Sequence, residues 1–163
     1  MVTTSANEVK ILDSTGALTE TLPIDKRVSF AKFAPNSDSI AIFVFLSGDS
    51  PESGSVAQIW DLSAKKKVYE VTCHSEEITD VSFTPLAGLV CVSSADGSWS
   101  VHDFSAGKRL LIKRESAKVT ALQLHPDGLI LAIGLSTGKI VLYDIREMVV
   151  AQELDGVVSA PVS

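Results

Sequence analysis

Short runs in which apolar residues mostly alternate with polar ones follow one another along residues 74–110. The runs Ile78–Phe83, Leu89–Ser94 and Ser98–Asp103 are rich in Val, Ile, Phe and Trp, and a fourth run begins at Lys108. Each run is followed by Pro, Gly or Asp residues, which favour turns. A period of two, bounded by turn residues, predicts β-strands. We therefore expect four short antiparallel strands in this stretch.

The same pattern returns at a fixed spacing. Three turn or strand-end residues recur 41 positions later, with Pro85 as Pro126, Gly97 as Gly138 and Asp103 as Asp144. A period in the forties with four strands per unit is typical of one blade of a β-propeller. The sequence thus predicts an all-β fold built from repeated blades.

Several polar residues occupy fixed positions in this unit, and there it resembles the WD repeat. In that family a His opens the unit, an Asp lies in the turn between the second and third strands, and Trp-Asp ends the third strand. His74, Asp96 and Asp103 match, whereas His102 replaces the Trp. The resemblance implies a structural hydrogen-bond network within each blade. Its expected members are His74, Asp96, Asp103, Trp60, Asp61 and Asp144.

The repeat divides the chain into units. We predict a half blade at 8–22, a blade at 26–72 with an inserted loop at 47–54, blades at 74–113 and 115–154, and the start of another at 155–163. Propellers usually close with four to eight blades. An array of about three whole blades leaves an apolar face uncovered at each end. We therefore expect an incomplete WD-repeat β-propeller that missing blades or self-association would complete.

A second resemblance depends on Trp99, which lies three residues after the turn Asp, and on His125-Pro126-Asp127-Gly128. On these residues the region from His74 to Leu154 is similar to consecutive repeats of the splicing-associated U-box ubiquitin ligases. The resemblance implies a nuclear protein whose propeller docks splicing factors and ubiquitination substrates. The U-box carries the ligase activity of that family, and neither it nor the coiled coil that follows it is present in this sequence.

An unrelated WD-repeat scaffold remains the alternative. Tyr143-Asp144-Ile145-Arg146 is similar to the Trp-Asp-x-Arg motif of WD-repeat substrate receptors for cullin ubiquitin ligases. A four-residue match at the end of a repeat arises easily by chance. We therefore keep the cullin receptor as the second hypothesis.

Composition narrows the class of protein. Hydrophobic residues make up 45% of the chain and charged residues 21%, which is typical of a globular domain. The longest apolar run, Ile40–Leu46, is too short to span a bilayer, and the N-terminus lacks the layout of a signal peptide. The net charge of −6 argues against tight, indiscriminate binding of nucleic acid. Two cysteines without metal-ligand spacing are consistent with reduced thiols in the cytosol or nucleus.

Candidate catalytic groups have a simpler structural explanation. His74, Asp96 and either Ser93 or Ser94 would be the types of a hydrolase triad. In a WD repeat the same groups tie the opening loop to the tight turn, which satisfies buried polar atoms. His74, His102 and His125 lack the spacing of metal ligands, and no glycine-rich loop precedes a helix. We therefore expect no catalytic, metal or cofactor site.

Charged residues mark two opposite faces of the predicted blades. Asp49 and Glu52 lie in the insertion, and Lys113, Arg114 and Lys118 lie between two blades. Loops of these two kinds share one face of a propeller, so we expect this face to dock partners. The turns on the other rim carry Lys65, Lys66, Lys67, Lys108, Arg109 and Arg146. Those cations are predicted either to contact RNA weakly or simply to keep exposed turns soluble.

Overall fold

The computed structural model describes residues 2–5, 8–22, 24, 28–35, 40–46, 55–84 and 88–156. These residues form fifteen strands and the turns between them, and none of them is helical. It follows that no helix in this part of the chain is long and apolar enough to cross a membrane. All of the strand pairs are antiparallel.

The strands form four consecutive sheets, which we call blades 1 to 4. Blade 1 contains β1 (Val2–Ser5), β2 (Glu8–Leu12) and β3 (Leu18–Leu22). Blade 2 contains β4 (Val28–Phe33), β5 (Ile40–Leu46), β6 (Ser55–Asp61) and β7 (Lys66–Val71). Blade 3 contains β8 (Ile78–Phe83), β9 (Leu89–Ser94), β10 (Ser98–Asp103) and β11 (Lys108–Arg114). Blade 4 contains β12 (Val119–Leu124), β13 (Ile130–Leu135), β14 (Ile140–Asp144) and β15 (Val149–Leu154).

Each four-stranded blade runs from an inner first strand to an outer fourth strand. The first strands β8 and β12 contact each other across blades, whereas β11 and β15 are largely exposed. Within a blade the chain reverses at each turn, so the turns alternate between two faces. We call the face with the turn 95–97 and the connection 115–118 the upper face, and the face with the turns 104–107 and 145–148 the lower face.

Three apolar clusters join neighbouring blades. Blades 1 and 2 share the cluster that contains Val9 and Phe43, and blades 2 and 3 share the one that contains Ile59 and Val81. Blades 3 and 4 share a cluster around Trp99. Because the middle strands of blade 3 are covered on both sides, β9 is buried at every position after Leu89. Each blade therefore depends on its neighbours for its core.

A tight approach explains one of the recurring glycines. Gly97 has φ +82°, in the left-handed region that favours glycine. A Cβ built there would lie 3.1 Å from the Ala117 carbonyl oxygen in the next connection. The Gly97 carbonyl in turn accepts a hydrogen bond from the Glu115 N–H at 2.8 Å. The turn of blade 3 thus packs directly on the chain that enters blade 4.

A β-bulge recurs in every blade. The pairing of the last two strands of each blade shifts by one residue beside the position that precedes the closing Asp. The extra residues in the outer strands are Thr19, Val68, Leu110 and Ala151. Because a bulge bends and twists an edge strand, it opposes edge-to-edge pairing. No residue pattern in the sequence indicates this bulge.

The predicted all-β, incomplete propeller is confirmed. Blade 1 differs in detail, since β1 pairs with β2 where we expected only two strands. The run Val2–Ser5 is short and lacks apolar alternation, so pairing of its backbone was not visible in the sequence. The insertion 47–54, Pro85 and residues 157–163 lie outside the described residues. The predicted blade boundaries stay predictions.

Candidate functional site

The aspartates that end the third strands share one local role. Asp13 follows β2, and Asp61, Asp103 and Asp144 end β6, β10 and β14. Each side chain accepts backbone N–H groups from the turn that follows. The shortest bonds come from Thr15 to Asp13 (2.8 Å), Ala64 to Asp61 (3.0 Å), Ala106 to Asp103 (2.7 Å) and Arg146 to Asp144 (2.8 Å). A short acceptor at this position closes the turn, which explains why Asp recurs there.

The residue before each closing Asp varies widely in chemistry. Trp60 donates its indole N–H to the Gln58 side-chain oxygen at 3.1 Å, and the Tyr143 hydroxyl donates to the Met148 carbonyl. In blade 3 this position holds His102, which is 2% exposed. Its Nδ1 lies 3.1 Å from the Tyr69 hydroxyl of β7, so it joins blades 2 and 3.

A chain of buried polar groups continues from His102 toward the upper face. The Ser100 hydroxyl lies 2.7 Å from His102 Nε2 and 2.8 Å from His74 Nε2. His74 Nδ1 lies 2.8 Å from the Ser98 hydroxyl. Ser98 donates both its N–H and its hydroxyl to Asp96. Each of these buried polar side chains therefore has a hydrogen-bond partner.

Asp96 ties the opening loop of blade 3 to its tight turn. Besides the Ser98 bonds, its carboxylate accepts the Ser75 N–H at 2.9 Å and the Ser75 hydroxyl at 3.0 Å. Burial alone would raise the pKa of Asp96, but the hydrogen bonds from Ser98 and Ser75 outweigh it and hold the pKa well below its usual range. Asp96 is thus held as a carboxylate by the four hydrogen bonds that it accepts from Ser75 and Ser98.

The serines considered for a hydrolase triad do not contact His74. Ser93 lies 2.9 Å from the Thr79 hydroxyl, and the Ser94 hydroxyl accepts the Asp96 N–H. The partners of His74 are Ser98 and Ser100 instead, and both are at most 3% exposed. A nucleophile must meet its substrate, so this burial favours the structural interpretation of the network.

Cys73 lies beside this network, a position that was not predicted from the sequence. Its Sγ lies 3.6 Å from Ser100 Oγ and 3.9 Å from His102 Nε2. Partial burial opposes ionisation of the thiol, but interactions with His102, His74 and Ser100 outweigh it and lower the pKa of Cys73 to about 5. Burial in the core raises the pKa of Cys91 to about 12. The order Cys73-His74 was the only sequence signal, and it did not reveal the approach of His102.

Trp99 belongs to the interface between blades 3 and 4. It is fully buried, and its ring meets Tyr143 edge to face with centroids 4.8 Å apart. Its indole N–H donates to the Glu115 carboxylate at 2.9 Å. The displaced Trp of the sequence pattern therefore fastens blade 3 to the connection that enters blade 4.

The predicted docking cations lie at and before that connection, since Lys113 and Arg114 end β11 and Lys118 is the last residue before β12. The Arg114 guanidinium donates to the Asp96 carbonyl oxygen at 2.7 Å, so it is partly engaged by the fold. Lys113 and Lys118 are exposed. Asp49 and Glu52 lie outside the described residues, and whether they share this face stays a prediction.

Cations of the lower rim differ in their pairing. Lys65 binds Glu20 at 2.9 Å, and Lys67 binds Glu70 at 2.8 Å. Arg146 lies 3.2 Å from Asp144, whose hydrogen bond raises the pKa of the guanidinium. Lys66, Lys108 and Arg109 make no ion pair with a described residue.

A second unpredicted contact joins the inner strands of three blades. The Lys32 ammonium of β4 donates to Asp80 of β8 at 2.6 Å, and Asp80 accepts the Leu122 N–H of β12 at 3.1 Å. Asp80 also accepts the Val81 N–H at 2.8 Å. A charged residue within an otherwise alternating strand was the only sign of this bridge.

Among the described residues, no group of three or more His, Cys, Asp or Glu side chains is placed to hold a metal ion.

Comparisons with known proteins agree with this architecture. Pre-mRNA-processing factor 19 homolog 2 of Arabidopsis thaliana is 27% identical over 137 residues, which cover 80% of this chain and 25% of the relative. Protein NEDD1 of Bos taurus is 31% identical over 99 residues, which cover 60% of this chain and 15% of the relative. The chain thus spans about a quarter or less of the length of these relatives.

One solved structure shares the fold. A chain in the crystal structure of the mitotic checkpoint complex superposes with a TM-score of 0.77 at 18% identity, over 96% of this chain and 46% of that one. The family model described as nucleolar protein 10-like, N-terminal domain, matches residues 1–163. Its β-propeller corresponds to the four blades seen here. The chain therefore belongs to the nucleolar protein 10-like N-terminal domain family of β-propellers.

Proposed function

We propose that this chain is part of a nuclear protein-interaction scaffold, and that its upper face docks splicing factors and ubiquitination substrates. The resemblance to pre-mRNA-processing factor 19 and the family named for a nucleolar protein support the nuclear location. The proposal assigns the chain a binding role without chemistry of its own. Missing blades or a second copy would cover its open faces.

The observation that carries the proposal is the locked connection between blades 3 and 4. The Trp99 indole N–H donates to the Glu115 carboxylate, and the Gly97 carbonyl accepts the Glu115 N–H. The Arg114 guanidinium donates to the Asp96 carbonyl in the turn. Two of these bonds hold Glu115 in the connection, and the third holds Arg114 at the end of β11 against the turn. Lys113 and Lys118 therefore project from an ordered base, which reduces the entropy lost when a partner binds.

Charge reversal at the two free cations tests the proposal. The tagged Lys113→Glu/Lys118→Glu protein is isolated from nuclear extract, and its co-purifying proteins are quantified by mass spectrometry against wild type. Arg114 is left intact because it supports the fold. Lys66→Glu on the lower rim is the matched control, since Lys66 is exposed and makes no ion pair with a described residue.

We expect the upper-face variant to lose splicing and ubiquitination proteins and the control to keep them, with both variants showing wild-type circular dichroism. Loss in the control alone would assign docking to the lower rim. If neither variant changes the co-purifying set, the upper-face proposal is wrong.

One specific observation supports the alternative hypothesis of a cullin receptor. Arg146 follows the closing Asp144 on the lower face, and its side chain is 60% exposed. A cullin adaptor would therefore be recovered by the wild type and lost by Arg146→Glu, which leaves the upper face unchanged. Recovery of splicing proteins without any cullin subunit would exclude this second function.

A further inference from the structure

The outer strand of blade 3 differs in charge from the rest of the molecule. β11 carries Lys108, Arg109, Lys113 and Arg114 and no acidic residue, in a chain with a net charge of −6. None of these four cations forms an ion pair with a described carboxylate. The charge of Lys108, Arg109 and Lys113 is therefore available to a partner, whereas Arg114 is partly engaged at the Asp96 carbonyl.

Charged residues of the other two fourth strands are paired to a greater extent. In blade 2, Lys67 of β7 pairs with Glu70 of the same strand at 2.8 Å. In blade 4, Glu153 of β15 pairs with Lys139 at 2.6 Å. Solubility is served by interspersed charges of both signs, whereas a field of one sign, as on β11, favours the steering of a charged partner.

An exposed apolar centre lies between the two cation pairs. Leu110 is the bulged residue of β11, and Leu110 and Ile112 are each 39% exposed. A bulge re-aims the side chain that it carries, and here it leaves Leu110 in solvent between the cations. The order along the strand is thus cation pair, apolar centre, cation pair.

We propose that β11 docks an extended acidic protein segment with apolar residues at its centre. From Arg109 to Lys113 an extended strand spans about 13 Å, at roughly 3.3 Å per residue. A segment with carboxylates on both sides of three apolar residues matches this spacing. The inference rests on the docking role proposed above, but its surface is the outer strand β11, which shares only Lys113 with the upper-face pair Lys113 and Lys118.

Single-stranded RNA fits the strip less well. Proteins that bind single strands without sequence preference stack the bases on aromatic side chains. β11 contains only aliphatic residues at its centre, Leu110, Leu111 and Ile112. Leucine and isoleucine favour an apolar peptide instead, and the four cations would increase the encounter rate with an acidic one.

The test uses a labelled peptide with three glutamates, three leucines and three glutamates, and measures its fluorescence anisotropy with the whole chain. A peptide of nine glutamates tests the contribution of charge alone, and a peptide with serines in place of the six glutamates tests the contribution of the leucines alone. A nine-uridine RNA represents nucleic acid. We expect the Glu-Leu-Glu peptide to bind about tenfold more tightly than each of the three other probes, since each 1.4 kcal/mol is tenfold.

Two variants place the site on the strip. Leu110→Ser/Ile112→Ser should abolish the preference over nine glutamates, and Lys108→Glu/Arg109→Glu should weaken both acidic peptides about tenfold or more. Lys66→Glu and Lys118→Glu are matched controls that leave the affinities unchanged. Circular dichroism and the unfolding midpoint show that each variant is folded.

Equal binding of nine glutamates, tighter binding of the RNA, or an equal loss in the Lys66→Glu control would overturn the proposal. Hydrogen exchange that fails to slow in β11 when the peptide is bound would overturn it as well. The upper-face proposal fails on a different observation, namely that Lys113→Glu/Lys118→Glu keeps its nuclear partners, and Lys108→Glu/Arg109→Glu leaves both of those cations in place.

Discussion

The indole nitrogen of Trp99 donates a hydrogen bond across 2.9 Å to the Glu115 carboxylate, which lies on the connection to the next blade. A hydrogen bond to a charged acceptor is worth about 1.5–3 kcal/mol. We predict that Trp99→Phe lowers the free energy of unfolding by about 2 kcal/mol, measured in urea. Trp60→Phe loses a bond to the neutral Gln58 at a half-buried site and should cost less. Equal losses would show that the Glu115 bond contributes nothing specific.

Asp80 should matter more to stability than its ion-pair partner Lys32. Asp80→Ala leaves the N–H groups of Val81 and Leu122 without this acceptor, and we expect a loss of about 3 kcal/mol. Lys32→Met removes a half-exposed ion pair, which is worth less than about 1 kcal/mol. Urea unfolding of both variants measures the difference. A loss in Lys32→Met as large as in Asp80→Ala would mean that the ion pair, and not the backbone bonds, holds the inner strands.

Asp96 should make the protein sensitive to acid. Its folded pKa lies below the ordinary value of 3.8, because the bonds from Ser98 and Ser75 outweigh burial. A depressed pKa contributes stability above the unfolded pKa, and that contribution is lost as the pH falls below about 4 toward the folded pKa. We predict that the stability difference between wild type and Asp96→Asn shrinks between pH 6 and pH 3. A difference that stays constant over this range would contradict the prediction.

The two cysteines should differ in reactivity. The thiolate is the nucleophile, so Cys73, with a pKa of about 5, should react with iodoacetamide at pH 6, whereas Cys91, with a pKa of about 12, should not. Mass spectrometry of the modified peptides measures both. His102→Ala should slow Cys73 at pH 6 by about tenfold, because it removes an interaction that lowers the pKa of the thiol. Equal labelling of both cysteines in the folded protein would refute this assignment.

The far side of blade 4 should make the isolated chain associate. Gln123, Ile130, Ala132 and Leu142 line an open, mostly apolar groove of about 540 Å³ there. Apolar surface of this kind drives association. We predict self-association at micromolar concentration in sedimentation velocity, and its loss in Leu142→Glu. Val68→Glu, on the exposed outer strand β7, is the control and should associate like wild type. A compact monomer for the unmodified chain would contradict this expectation.

The features that could be predicted from the sequence depend on interactions between residues close together in the chain. Alternation in Ile78–Phe83 and turn residues such as Gly97 act within a few residues, so the strands and the 41-residue period were visible in the sequence. The closing aspartates were visible for the same reason, since each one bonds to its own turn. The serine partners of His74 were not, because Ser98 and Ser100 are 24 and 26 residues away and Ser93 and Ser94 had the same chemistry.

By itself the sequence determined an all-β array of blades, their turns and the recurring aspartates, because these follow from side-chain period and backbone preference. Tertiary structure alone decided that Lys32 reaches Asp80, 48 residues away, and that Trp99 holds Glu115 of the next connection. It also decided that Cys73 lies beside His102. These contacts depend on how twisted sheets pack face to face. That packing is set by three apolar clusters whose residues come from different blades, so no local sequence pattern contains it.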